Sequence, residues 1–289
     1  MNAVAESAPS RAPRAVSTDA RSPERAGWLA DAAVEALHVE LALYPKPGLV
    51  SFIDSGSHVD MTAETFLRSI AALGGYFRAI AARGADLAPF ALLEHLGIDA
   101  ERRMLSATGG INTHRGAVFV LGLLCAAAGA AALSAAGLRR RLLDLWGADL
   151  LARVASDDRS HGQRAAQRHG LRGARAEAAA GFPVLFEHAV PALRGALSAG
   201  LDERRAHLQA FFVALAELDD TNLVHRAGLA GLRYARTRAK EFLAAGGAYA
   251  PDALARAEHI HHAFVARRLS PGGSADVLAA ASWVVRVCG

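Results

Sequence analysis

The chain has 289 residues, a mass of 30.2 kDa, 52% hydrophobic residues, only 6% aromatics and a formal net charge of +4. That is ample for a sizeable core, and the excess of Ala, Leu and Arg over β-branched residues favours helices. The positive balance is too mild to mark a nucleic-acid binder, no zinc spacing or aromatic-rich basic strand supports one, and two cysteines (Cys125 and Cys288) build no disulfide framework and point to a reducing cytosol.

Residues 1–25, rich in Ala, Ser, Pro and Arg, read as a disordered tail without a signal sequence. Residues 26–289 read as one all-α domain. Apolar residues at helical spacing predict a helix over 27–43, which stops at Pro45-Lys46-Pro47-Gly48. Thr62 and Glu64 open a second helix and residues 89–105 form a third. The uncharged run 116–138 is long enough to span a bilayer, but about half of it is Ala or Gly, so it reads as a buried central helix. Further helices are expected over 138–155, 172–180, 183–197, 203–218 and beyond, 251–268 and 274–287. Helix after helix with short Gly/Pro breaks predicts a single globular multi-helix domain, with its active site at helix termini and at those breaks.

The unusual polar residues gather at these breaks. Lys46 is one of only two lysines beside thirty arginines, and it sits in a proline-stiffened loop, YPKPGLV, where a compact ammonium suits a phosphate. Asp54, His58 and Asp60 precede the second helix. In TGGINTHRG a Gly-Gly turn delivers Asn112, Thr113, His114 and Arg115 to the start of the apolar helix, as an anion site or as an ordinary N-cap. In LDDTNLVHRAG, Asn222 and His225 take positions of an apolar stripe, with Asp219, Asp220 and Arg226 alongside; a packing network or a metal or phosphate site would explain them. In RRLSPGGSAD, Gly272 and Gly273 permit close backbone approach, Ser274 can N-cap, and Asp276 sits in the first turn of the last helix. The arginines of 164–175 read mostly as solvated faces, and neither His161 nor His169 stands at ligand spacing with a carboxylate. Together these clusters predict a polyphosphate site with acids left over for Mg²⁺ or proton transfer. No Walker motif, dinucleotide fingerprint or nucleophile elbow is present.

YPKPGLV…GSHVDM, TGGINTHRG…LGLLCAA, GLRGARAEAAAGFP, LDDTNLVHRAG and RRLSPGGSAD, in this order, resemble the triphosphoribosyl-dephospho-CoA synthase family over roughly residues 27–287. The resemblance implies an all-α cytoplasmic pentosyltransferase. It would move the triphosphoribosyl group of ATP to the 2′-hydroxyl of 3′-dephospho-CoA, releasing adenine and making the prosthetic-group precursor for an acyl carrier subunit. Malonate decarboxylase is the expected client ahead of citrate lyase, and a homodimer is left open. Transferred onto this chain, Glu40 and Asp60 become candidate base or cation-stabilising carboxylates, and His58 and His114 alternative proton carriers. Lys46, Arg68, Asn112, Arg115, Arg175, Asn222, Arg226, Gly272, Gly273 and Ser274 become the phosphate and nucleotide contacts, and Asp220 and Asp276 the Mg²⁺ ligands. Three departures stand out: Ser51 and Arg115 replace a common Asp and a common Lys, and Asp219 replaces a small residue. Other readings of the same residues are a nucleotide- or CoA-binding protein without catalysis and a Mg²⁺-dependent N-glycosidic hydrolase.

Overall fold

The computed structural model describes residues 22–130, 133–154 and 161–289, the side chains of 161–163 excepted. Among the described residues there are twelve α-helices and no strand. They are α1 (Pro23–Ala42), α2 (Ala63–Ala85), α3 (Phe90–Ala107), α4 (Arg115–Gly129), α5 (Ala135–Val154), α6 (His161–His169), α7 (Ala174–Ala179), α8 (Val190–Ser198), α9 (Glu203–Glu217), α10 (Thr221–Ala244), α11 (Ala253–Ala266) and α12 (Gly272–Cys288). The expected tail falls outside the described residues for 1–21. Its last residues do not: Ser22 caps α1 by accepting the Glu24 N–H at 3.2 Å, and Pro23 occupies the first turn, where its missing N–H costs nothing.

The apolar run is a central helix, but a shorter one than expected. α4 ends at Gly129, and Ser134 caps α5 by accepting the Gly137 N–H at 3.1 Å. Small residues let its neighbours come close. A Cβ on Gly84 would lie 2.0 Å from the Ala126 carbonyl oxygen, and one on Gly129 would lie 2.1 Å from that of Ala81, so α2 and α4 pack backbone to backbone. At the C-terminal end of α4 the buried Arg25 guanidinium donates to the Ala128 carbonyl at 2.8 Å, a charge-assisted bond that also complements the helix dipole. α12 packs on α1, α4, α8 and α9 and so joins the two halves of the bundle. Its Trp283 is fully buried and donates to the Leu29 carbonyl at 3.1 Å. No helix among the described residues is long and apolar enough to cross a membrane.

Two further expectations are corrected. The helix predicted over 183–197 is a π-helical turn, Val184–Ala189, leading into α8. Pro191, in the first turn of α8, has no N–H to give to the preceding turn, and the chain widens upstream of it. The stripe predicted to continue from 208 through 232 is broken at Leu218, where α9 ends, and again at Ala227 and Gly228 inside α10. Asn222 and His225 are therefore not substitutes in a core stripe; they belong to a short first segment of α10 that turns toward a cavity.

Candidate active site

The cavity opens where α1, α4, α10, α12 and the loop after α1 meet, with a volume of about 810 Å³ counting the solvent at its mouth. Its polar lining includes Glu40, His58, Asn112, Thr113, His114, Arg115, Asn222, His225, Arg226 and Asp276, and Leu37, Leu49, Val50, Met61 and Phe66 supply apolar wall.

Glu40 lies in the last turn of α1 and is 4% exposed. Behind it lies Lys46, 1% exposed, whose ammonium pairs with the Glu40 carboxylate and donates to the Glu40 carbonyl at 2.6 Å. Burial pulls the Lys46 pKa down and the Glu40 charge opposes that fall. The loop that carries Lys46 is tied at several points. His261 Nδ1 lies 3.0 Å from the Lys46 carbonyl and its Nε2 3.0 Å from the Asp54 carboxylate. Gly48, at φ +71°, brings its Cα so near the Leu269 carbonyl that a Cβ would lie 2.1 Å from that oxygen. Only glycine suits that place. Ser51 accepts the Ile53 N–H at 3.1 Å, a turn-forming task that a hydroxyl or a carboxylate can perform.

Acidic side chains occupy the helix starts that were expected to hold phosphate. Asp276 of α12 accepts the Ala117 N–H in the first turn of α4, and Gly116 makes room, since a Cβ there would lie 1.9 Å from its carboxylate. Asp220 caps its own helix through the Asn222 N–H at 3.0 Å and, with its other oxygen, takes the Ser274 N–H at 2.9 Å and hydroxyl at 3.0 Å at the start of α12. Burial raises the pKa of both. For Asp276 the rise is large, and the negative charge of Glu40 adds to burial. Asp276 thus faces Glu40 across the cavity, whereas Asp220 and Ser274 are buried beneath it and do not line it.

His114 is 3% exposed, with Nδ1 2.7 Å from the Ser69 hydroxyl. Burial, then the positive charge of Lys46, pushes its pKa down to about 3, so the ring is neutral in ordinary buffers. At the mouth, His58 Nε2 lies 2.8 Å from the Ser270 hydroxyl and its Nδ1 3.5 Å from Asp60 and 3.4 Å from the Arg226 guanidinium. Burial and Arg226 lower the His58 pKa against the pull of Asp60. Arg115 is bound to Glu101 at 2.9 Å and stays about two-fifths exposed over the cavity.

A family model, ATP:dephospho-CoA triphosphoribosyl transferase, matches residues 26–288. This chain belongs to that family. It is therefore a transferase. Among curated relatives, a 2-(5''-triphosphoribosyl)-3'-dephosphocoenzyme-A synthase of Pectobacterium atrosepticum is 43% identical over 84% of each chain. Probable synthases of Acinetobacter calcoaceticus (38% identical, 87% of this chain and 88% of the relative) and Azotobacter vinelandii (39%, 92% and 93%) are similar over nearly all of both chains. No solved structure matches.

Against that family background the expected site residues separate into three groups. Glu40, His58, Asn112, His114, Arg115, Asn222, Arg226, Gly272 and Asp276 all line one cavity. Lys46, Asp60, Asp220, Gly273 and Ser274 support it from behind or beside: Lys46 through Glu40, Asp60 through His58, and Gly273, whose Cβ would lie 3.2 Å from Asp220, through that carboxylate. Arg68 and Arg175 stand apart. Arg68 pairs with Glu64 at 2.9 Å on the exposed face of α2, and Arg175 donates to the Arg153 carbonyl at the end of α5. Ser69 and His261 went unnoticed in the sequence. Ser69 was legible, since it stands in the apolar 3–4 rhythm of Phe66, Ile70, Leu73 and Phe77 as Asn222 seemed to in its own. His261 carries no local signal, because its partners lie more than two hundred residues away.

Proposed function

We propose that this protein transfers the triphosphoribosyl group of ATP to the 2′-hydroxyl of 3′-dephospho-CoA and releases adenine. The observation that carries the reading is a pair of carboxylates lining one cavity, the buried Glu40 and the partly buried Asp276, with the pKa of Asp276 raised by burial and by the Glu40 charge. Glu40, locked to Lys46, is a fixed anion suited to the positive charge that builds on ribose C1′ as the glycosidic bond opens. Asp276, whose pKa burial and the Glu40 charge raise, is a strong base once ionised, and in that form it takes the 2′-hydroxyl proton. In the balanced step the C1′–N9 bond breaks with its electron pair on adenine. The 2′-oxygen forms the new bond to C1′, its proton passes to Asp276, and the departing adenine takes a proton from solvent. Arg115, Arg226 and Asn222, which line the cavity, are the phosphate contacts in this reading.

The donor set does not fit a resident Mg²⁺. Asp220 gives its oxygens to three protein donors, and no group of three or more His, Cys, Asp or Glu side chains among the described residues could hold a metal. Magnesium enters in this reading as the counter-ion of the ATP phosphates, a habit of that ion, and no step runs through a protein-held metal. In this reading the client is the acyl carrier subunit of malonate decarboxylase ahead of that of citrate lyase, and the setting is the cytoplasm. Loading of each purified carrier with the product decides between them.

The test is release of adenine from ATP, followed by mass together with the coupled product, with and without dephospho-CoA. Release that needs the acceptor is the expected result. Acceptor-independent release would make the protein a hydrolase, and ATP bound without release would make it a binder; either overturns the reading.

A further inference from the structure

One buried polar chain has no place in the steps above. The Thr113 hydroxyl donates to the Ser69 hydroxyl at 2.8 Å, and the Ser69 oxygen lies 2.7 Å from His114 Nδ1. Ser69 is wholly buried, and no other hydrogen-bond partner of its hydroxyl is found among the described residues. Since Ser69 receives the Thr113 proton, its own proton has one acceptor within reach, Nδ1. An imidazole that accepts at Nδ1 and is neutral carries its hydrogen on Nε2. That Nε2 is buried without a hydrogen-bond partner, in a side chain that forms part of the cavity wall and meets Phe66 edge-on at 4.9 Å between ring centroids. A buried donor left unmet within the protein costs about 1–3 kcal/mol, which a ligand acceptor would return.

We propose that Ser69, itself held by Thr113, is a positioning residue that fixes His114 as the Nε2–H tautomer, and that His114 presents this neutral donor to a ring nitrogen of the adenine of ATP. A phosphate is the poorer match. The ring does not carry a positive charge at neutral pH, so it offers an anion only a neutral donor beside the apolar face of Phe66, while Arg115 and Arg226 supply full charges at the mouth. A donor on the purine, by contrast, withdraws electron density from the leaving group as the C1′–N9 bond opens, without itself changing protonation state. The second half of this inference rests on the ATP reading above; the tautomer half does not.

The experiment uses the full chain labelled with ¹⁵N-histidine, with the His114 signals assigned by their loss in His114→Gln. Between pH 6 and 8 the expected spectrum shows a protonated Nε2 and an unprotonated Nδ1, and addition of ATP without acceptor shifts the Nε2 signals. A protonated Nδ1 would overturn the tautomer assignment whatever the enzyme does. The proposed tautomer with no response to bound ATP would overturn the adenine contact. In turnover, His114→Gln, whose amide can place an N–H near Nε2, should retain far more activity than His114→Asn, expected to fall on the order of 100-fold. Ser69→Ala should lower kcat about ten-fold and mix the two tautomers, with Ser69→Thr restoring both. Thr113→Val, which keeps the side-chain shape, gives the same spectroscopic test should Ser69→Ala fail to fold. Equal activity in the Gln and Asn variants contradicts the donor role. If no variant or wild-type protein releases adenine, the transferase reading fails while the tautomer result stands.

Discussion

The floor and the mouth of the cavity hold charge in opposite ways. At the floor, Glu40, Lys46 and His114 are almost out of water and Asp276 is partly so, and fixed partners hold them: Lys46 on the Glu40 carbonyl, Asp276 on the α4 start, His114 on the Ser69 hydroxyl. At the mouth, His58, Asp60, Arg115 and Arg226 are partly exposed and pair with one another or with a neighbouring acid at lengths up to 3.5 Å. A buried charge can act on chemistry because little water screens it, but it must be held rigidly; an exposed charge can re-aim toward an incoming phosphate. The floor is thus suited to the reacting bond and the mouth to capture.

Breaking the floor should have the largest effect. Glu40→Gln and Asp276→Asn are each expected to cut adenine release by about 10³-fold, measured in single turnover. Asp276→Asn should at the same time stabilise the protein at neutral pH. The folded-state pKa of Asp276 lies above its unfolded value, so between the two the folded chain keeps a proton that the unfolded chain has lost. Its contribution to stability is full below the ordinary carboxylate pKa and declines as pH rises through the window up to the folded pKa. An amide escapes that decline, and denaturant midpoints should show the variant gaining on wild type from acid to neutral pH. Activity lost with no such gain would detach Asp276 from the buried environment described.

Next in size is the ion pair beneath the floor. Lys46→Met leaves the Glu40 carboxylate buried without its counter-charge and should cost about 3–5 kcal/mol of stability, read by urea unfolding. Adding Glu40→Gln should recover much of that stability and none of the activity. An undiminished midpoint in Lys46→Met would mean that Lys46 is not where the structure places it.

The mouth should respond more mildly and in a different parameter. Arg226→Ala is expected to raise KM for ATP about ten-fold while kcat changes little, with the difference shrinking at high salt. Acid pH sharpens the contrast through the histidines. The pKa of His114 is pushed down to about 3, so the unfolded chain takes up a proton below pH 6.5 that the folded ring refuses. Its contribution to stability is present above the unfolded pKa and is lost as pH falls, by about 1.4 kcal/mol per pH unit until the folded pKa is reached. His114→Gln should therefore lose less stability on acidification than wild type, and His58→Gln should show the same sign. The smallest effect belongs to Arg68→Ala and Arg175→Ala, which should leave KM and kcat within about two-fold, since an exposed pair such as Arg68–Glu64 contributes at most about 1 kcal/mol.

Local signals carried the fold and the membership of the floor, and they failed where distant contacts decide. Helical spacing, Pro45 and Pro47 after α1 and the Gly-Gly turn before α4 are local, and the helices stand close to where they imply. Glu40, one turn before the Pro-Lys-Pro break, was placed with Lys46 on the same grounds, and the two are paired. Asp220 and Asp276 look alike in sequence, each an acid beside a helix start. Which one faces the cavity depends on which helix start it caps, a matter of tertiary packing between α10, α12 and α4. Arg68 and Arg175 looked like phosphate ligands because arginine carries no sign of which way its helix face turns.

The most direct test of the account is to compare Glu40→Gln with wild type in two readings from one preparation: ATP affinity by calorimetry and adenine release in the presence of dephospho-CoA. Affinity within about three-fold of wild type with release reduced by about 10³-fold is the predicted outcome, because the floor serves the reacting bond and the mouth holds the phosphates. Release at the wild-type rate, or loss of ATP binding in step with release, would contradict that division.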